Sequence, residues 1–204
     1  MKLHHNPASP FVRMVTVTAL EAGLSDRIEQ IFTGVFLPIE PHAAVIGDSP
    51  LGKIPTLVLD DGTALYDSRV ICEYLADQAP EKGLLPESGT ARWNCLTLQA
   101  LAQGFADAAV NLRYETALRP GALQWQEWID AQKARLGRSL DALENDRIGE
   151  LSDVTLGSIA VAVCLGYMDF RYPDEDWRTS RPNLAQWYQT FADRPSMQQT
   201  IPPA

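Results

Sequence analysis

Every stretch of this chain that reads as a β-strand lies within its first 66 residues, and that asymmetry limits the fold more than any single motif. Short apolar runs bounded by turn residues occur at 2–5, 28–33, 56–60 and 63–66, the last two flanking Asp61-Gly62, a dipeptide suited to a two-residue hairpin turn. Between the first two runs, Ser9 has the character of an N-cap and Pro10 that of a first helical residue. The helix they open, "PFVRMVTVTALEAGL", has apolar groups on most faces and Gly23 as its stop signal. Residues 34–50 hold three prolines and read as irregular with one short helix. Residues 68–78 form the next helix, with Val70, Ile71, Tyr74 and Leu75 on one stripe.

After "APEKGLLPESG" (79–89), which carries two prolines and two glycines, no strand pattern returns. Helical patterns run over 90–118, 122–144, 155–170 and 183–192, and "IAVAVCLGY" (159–167) should be the most enclosed of them. The expected architecture is therefore α/β plus all-α. A small mixed sheet with helices occupies 1–78, a linker 79–89, and a helical domain 90–204.

Charge narrows the partners. With 26 acidic against 17 basic residues the net charge is −9, which disfavours nucleic acid and anionic membrane surfaces but permits a locally positive pocket. The 3 cysteines, Cys72, Cys95 and Cys164, lie in apolar helical contexts without metal-ligand spacing, so buried inert thiols are expected, and neither disulfide nor metal. The first residues lack a continuous apolar core, and no run of about 18 apolar residues occurs; a cytoplasmic location is the expectation.

Three short features carry chemistry. Pro55 cannot donate to a sheet ladder, and an X-Pro bond is where a cis peptide costs only about 0.5–1 kcal/mol over trans. A cis bond would turn the backbone groups of Ile54 outward, where an extended peptide could pair with them; the plain alternative is a trans-proline strand start. Asp67-Ser68 precedes a helix whose N-terminal amides suit a carboxylate, while the Asp67 carboxylate suits an ammonium group; the plain alternative is a helix cap. Ser9 could donate to a thiolate. Lowering a bound thiol from about 8.5 to about 7 takes roughly 2 kcal/mol, within the reach of one charged hydrogen bond and one helix end. Alone, Ser9 is a cap. Asn6 is a secondary donor candidate, and His4 and His5 read as ordinary strand residues rather than catalytic imidazoles.

In order, "SPFVR" (9–13), "GKIPTL" (52–57) and "LYDSRVICEYL" (65–75), followed by "GLLP", an all-helical half and "RPNLAQWYQTFADRPSMQQT", resemble the glutathione transferase family, its bacterial serine-type members above all. The resemblance implies a thioredoxin-like N-terminal domain, a helical-bundle C-terminal domain and a homodimer. It implies conjugation of glutathione, a co-substrate rather than a cofactor, to small hydrophobic electrophiles in detoxification. Isomerase, peroxidase or dehalogenase chemistry, or a non-catalytic ligand- or protein-binding role, is the alternative on the same scaffold. By resemblance Ser9 stabilises the glutathione thiolate, with Arg13 supporting its field. Ile54, Pro55, Asp67, Ser68 and Lys53 hold the tripeptide. Phe11 and Phe105 are candidates for the electrophile pocket, whereas Trp93 and Tyr114 read as core or dimer packing. One departure from similar proteins is Thr155-Leu156-Gly157-Ser158, where Ser158 replaces an acid and should weaken the reciprocal half of a capping box.

Overall fold

The computed structural model describes residues 1–34 and 43–203. It contains two compact units, one of Met1–Arg92 with Pro195–Ala204, the other of Trp93–Arg194. The expected segmentation into 1–78, 79–89 and 90–204 differs from this at two places. Residues 79–92 belong with the first unit, and so does the C-terminal segment, because side chains of the first helix hold it.

The first unit is built on a sheet in the order β2-β1-β3-β4, from β1 (Lys2–His5), β2 (Glu29–Phe32), β3 (Thr56–Val58) and β4 (Ala64–Leu65). β1 runs parallel to β2 and antiparallel to β3, and β3 antiparallel to β4. The crossover from β1 to β2 contains α1 (Pro10–Glu21), which packs against α3 (Ser68–Asp77). Leu3, Val12, Val15, Leu57, Ile71 and Leu75 are fully enclosed and form this unit's core.

α1 stops as its sequence suggests. Gly23 takes φ 70°, its N–H donates to Leu20 O at 3.0 Å and Leu24 N–H to Ala19 O at 2.8 Å, the paired bonds that satisfy the last carbonyls. The hairpin differs from the two-residue turn expected. Leu59 N–H donates to Thr63 O, closing a three-residue loop in which Gly62 adopts φ 89° and the Asp61 carboxylate accepts from Thr63 N–H. Part of the segment read as irregular lies outside the described residues; within the described part, α2 (Ala43–Asp48) is the short helix.

The second unit centres on α6 (Leu156–Arg171), whose residues from Leu156 to Met168 are all buried, as its continuous apolar run implies. Around it are α4 (Gly89–Arg113), α5 (Gln126–Asn145) and α7 (Pro182–Ala192). α4 is followed by one π-helical turn, Tyr114–Leu118. Successive contacts advance together along α4 and α6: Gly157 against Cys95 and Leu98, Cys164 against Ala102, Tyr172 against Ala109. The two helices thus run in the same direction, with small residues at the close approaches.

The capping box at α6 corrects the weaker pairing expected from Ser158. Thr155 Oγ1 accepts from Ser158 N–H at 3.3 Å, and Ser158 Oγ accepts from Thr155 N–H at 2.8 Å while donating to Asp153 O at 2.7 Å. A short hydroxyl suffices because it bridges two backbone groups. All three cysteines are buried; burial pushes the Cys72 thiol up to about 12 and the Cys164 thiol upward too, which makes these two inert at neutral pH. Among the described residues no helix is long and apolar enough to cross a membrane.

Candidate functional site

Topology brings the three sequence features to one end of the sheet. Because β1 pairs antiparallel with β3, His4 opposite Thr56, the exit of β1 lies beside the entry of β3. Because β3 pairs antiparallel with β4, Leu57 opposite Leu65, the exit of β4 lies there as well. Ser9 follows the first exit, Ile54-Pro55 forms the entry, and Asp67-Ser68 follows the second exit.

Ser9 is the N-cap of α1, with extended backbone (φ −87°, ψ 124°), and its Oγ accepts from Val12 N–H at 3.3 Å. That bond uses a lone pair and leaves the hydroxyl hydrogen to be donated elsewhere. The turn ahead of it is closed by Ser9 N–H to Asn6 O and by Ala8 N–H to Asn6 Oδ1, both 3.0 Å. Asn6 thus spends its side-chain carbonyl on positioning the serine, and only its amide nitrogen could serve as the secondary donor.

The Ile54-Pro55 peptide is cis. Pro55 is buried, Ile54 half-buried and Lys53 exposed. The loop leading to them is fixed by Gly52 at φ 58°, whose N–H donates to Ser49 O, and by Thr56 Oγ1 donating to Lys53 O at 2.9 Å. His4, read as a strand residue, is a buried anchor for the preceding helix: its Nε2 lies 2.7 Å from Asp48 Oδ2 and its Nδ1 3.2 Å from Thr33 Oγ1. His5 is half-buried, and burial lowers its pKa.

Asp67 caps α3, accepting from Arg69 N–H at 3.0 Å, and its carboxylate also takes the Arg69 guanidinium at 3.2 Å. Nothing in the sequence marks Arg69, since a polar triplet at a helix start gives no hint that the cation folds back on the cap. Ser68 is buried at the first helical position.

Two other expected site residues sit elsewhere. Arg13 is 6% exposed, and its guanidinium donates to Met197 O at 3.0 Å and Thr200 Oγ1 at 3.2 Å. It ties the C-terminal segment to α1, helped by Ser196 Oγ donating to the Glu21 carboxylate. Phe105 is 1% exposed within the helical unit; a pocket wall needs surface that a ligand can touch, and this ring is core. Phe11 is half-buried; of the two aromatics expected in core or dimer packing, Trp93 is 66% exposed and Tyr114 37%, so neither belongs to the core of the single chain. A cavity of about 150 Å³ exists in the first unit, but α1, β1, β2 and the C-terminal segment line it, away from the strand-end cluster. Among the described residues no group of His, Cys, Asp and Glu could hold a metal ion.

Residues 8–78 match the family described as "Glutathione S-transferase, N-terminal domain" and residues 126–190 "Glutathione S-transferase, C-terminal domain". The chain is similar to the uncharacterised GST-like protein YibF of Escherichia coli (strain K12), 33% identical over 100% of this chain and 99% of that one. It is also similar to a glutathione transferase family member from Pseudomonas fluorescens Pf-5 solved with bound glutathione, at 48% identity and TM-score 0.96, over 100% of this chain and 99% of that one. A second structure from that organism, with bound S-(propanoic acid)-glutathione, gives 46% identity and TM-score 0.91 over 100% of both chains.

Proposed function

Because the chain belongs to the glutathione S-transferase family, we propose that it binds glutathione at the strand-end cluster of its first unit and transfers the sulfur to a small electrophilic carbon. The observation that carries this reading is the meeting of Ser9, Ile54-Pro55 and Asp67-Ser68 at one end of the sheet. A relative at 48% identity that binds glutathione supports it.

Each residue has a distinct role. The Ser9 hydroxyl donates its remaining hydrogen to the sulfur and, with the N-terminus of α1, favours the thiolate. The backbone of Ile54 pairs with the extended tripeptide as an added strand. The γ-glutamyl head spans the start of α3, its carboxylate on the Ser68 side and its ammonium toward Asp67. Arg69 shares the Asp67 carboxylate, so the ammonium completes an existing charge pair. Lys53 is an exposed cation for the glycyl carboxylate. The thiolate forms the new S–C bond, and the leaving group departs with its electron pair. On this reading the protein is a cytoplasmic homodimer that detoxifies electrophiles.

Retention on immobilised glutathione and conjugation of 1-chloro-2,4-dinitrobenzene test the proposal; binding without turnover of any electrophile would reduce it to a ligand-binding protein. Ser9→Ala is expected to raise the pKa of the bound thiol and lower kcat/KM about tenfold, with the Kd for glutathione little changed. If the thiolate absorbance titrates identically in the variant, Ser9 is a cap and nothing more. Ser68→Ala is expected to weaken glutathione binding about tenfold with the thiol pKa unmoved; an unaltered Kd by calorimetry removes Ser68 from the site.

A further inference from the structure

The cavity of the first unit lies where α1 meets the β1–β2 edge of the sheet, and its chemistry differs from that of the core beside it. Leu3 on β1 stands opposite Gln30 on β2 in a parallel register, and both line the cavity. Residues paired across two strands share a face of the sheet. Leu3 is fully enclosed on that face, so Gln30 sets a carboxamide where an apolar side chain would extend the core. Ile28, two residues earlier, and Ala19 of α1 supply apolar walls. Gln199 and Thr200 of the C-terminal segment close another side, held there by the bonds from Arg13 to Met197 O and Thr200 Oγ1.

The polar groups of the lining have uneven capacity. Thr16 Oγ1 spends its hydrogen on Arg13 O at 3.1 Å, a bond within its own helix. Thr200 Oγ1 spends its hydrogen on Ser196 O at 2.8 Å. Both hydroxyls can therefore only accept from a guest. The side chains of Gln30 and Gln199 make no hydrogen bond with a described residue, so each carboxamide offers an acceptor and two donors.

These capacities select the guest. No charged side chain is among the residues that line the cavity. An ionised guest would lose its water without gaining a counter-charge. A purely apolar guest would cover the hydroxyls and carboxamides and leave them unpaired. What fits is a neutral molecule with N–H groups for the threonines and C=O groups for the glutamines. Size sets the other limit. The cavity encloses about 150 Å³, the volume in which an engineered apolar cavity of another protein holds one benzene ring.

We propose that this cavity binds a single six-membered ring bearing neighbouring amide N–H and C=O groups, the chemistry of a free pyrimidine base. The ring rests on Leu3, Ile28 and Ala19, and its polar edge faces Thr16, Thr200 and the two carboxamides. A glutamine carboxamide matches such an edge with one donor and one acceptor side by side. The strand-end cluster takes no part, so the site stands or falls separately from the transferase reading.

Uracil is the probe, titrated against the full chain by saturation-transfer NMR. Pyrimidine, the same ring without amide groups, and orotate, uracil carrying a carboxylate, are the comparisons. Uracil is expected to bind saturably with a Kd of about 1 mM. Pyrimidine and orotate should bind at least about tenfold more weakly, and saturating glutathione should leave uracil binding unchanged. Gln30→Leu and Gln199→Leu keep the bulk and remove the carboxamide; each should weaken uracil about tenfold and leave pyrimidine as it was. Ala19→Leu fills the cavity and should abolish uracil binding. Gln189→Leu, exposed on α7, should not alter it. Circular dichroism melting of each variant separates lost binding from lost folding. Absence of saturable uracil binding, pyrimidine or orotate binding as tightly as uracil, displacement of uracil by glutathione, or a folded Ala19→Leu variant that binds as the parent does would overturn the proposal.

Discussion

Glu144→Ala is expected to lower the stability of the helical unit by about 3 kcal/mol, seen as a fall of about 9 °C in melting temperature. The side chain is 8% exposed on α5, and its carboxylate accepts from Asn183 N–H at 3.2 Å, Asn183 Nδ2 at 2.7 Å and Leu184 N–H at 2.8 Å. α7 begins at Pro182 with no side-chain cap of its own, so a residue 39 positions earlier supplies the acceptor for its first amides. Alanine leaves the Leu184 N–H buried without a partner and removes the acceptor of the two part-buried Asn183 donors. Burial alone would raise the carboxyl pKa, but the bonds from Leu184 and Asn183, with the nearby Arg181 charge, outweigh it and hold the pKa below its usual range. A depressed folded-state pKa means that the stabilisation is present above the unfolded value, about 4.3, and is lost as pH falls through the folded one. The stability gap between the parent and Glu144→Gln should therefore be widest near neutral pH and close below about pH 4. Urea midpoints that show a pH-independent gap would contradict the charged-cap account.

Gly157→Ala is expected to destabilise the same unit by about 2 kcal/mol, against the ordinary rule that alanine improves a helix interior by about 1 kcal/mol. A Cβ at this position would stand 2.9 Å from Cys95 O and 3.0 Å from Leu98 Cβ and Cδ2. One of these is backbone and another is the root of a side chain, so neither can swing away. α4 and α6 must separate at their closest approach, and that strain exceeds the gain in propensity. Gly104→Ala in α4 is the control, since a Cβ there meets nothing within 4 Å. If both variants stabilise, the tight α4–α6 contact is not the reason for the glycine.

The features read correctly from the sequence are those whose causes are local. Ser9-Pro10 opening α1, Gly23 closing it and the apolar run that becomes α6 each depend on residues within one or two turns. The misreadings share another origin. Asp61-Gly62 favours a two-residue turn, but strand pairing from Leu57 opposite Leu65 fixes the register and leaves three residues to close. The short side chain of Ser158 suggests a poor capping partner, although Asp153 O and Thr155 N–H both lie within its reach. Arg69 folding onto Asp67 left no periodic trace.

What the sequence determined by itself is therefore the kind and order of elements and the three short motifs, since hydrogen-bond periodicity and capping act over a few residues; the strand pairing that brings the motifs to one end of the sheet is tertiary. What only the tertiary structure decided is the employment of the long charged side chains. Arg13 reaches across 184 positions to Met197, Glu144 across 39 to Asn183, and Arg171 to no acid among the described residues. A guanidinium or carboxylate on a flexible stem finds its partner through the packing around it, and packing is a property of the whole fold rather than of neighbouring letters.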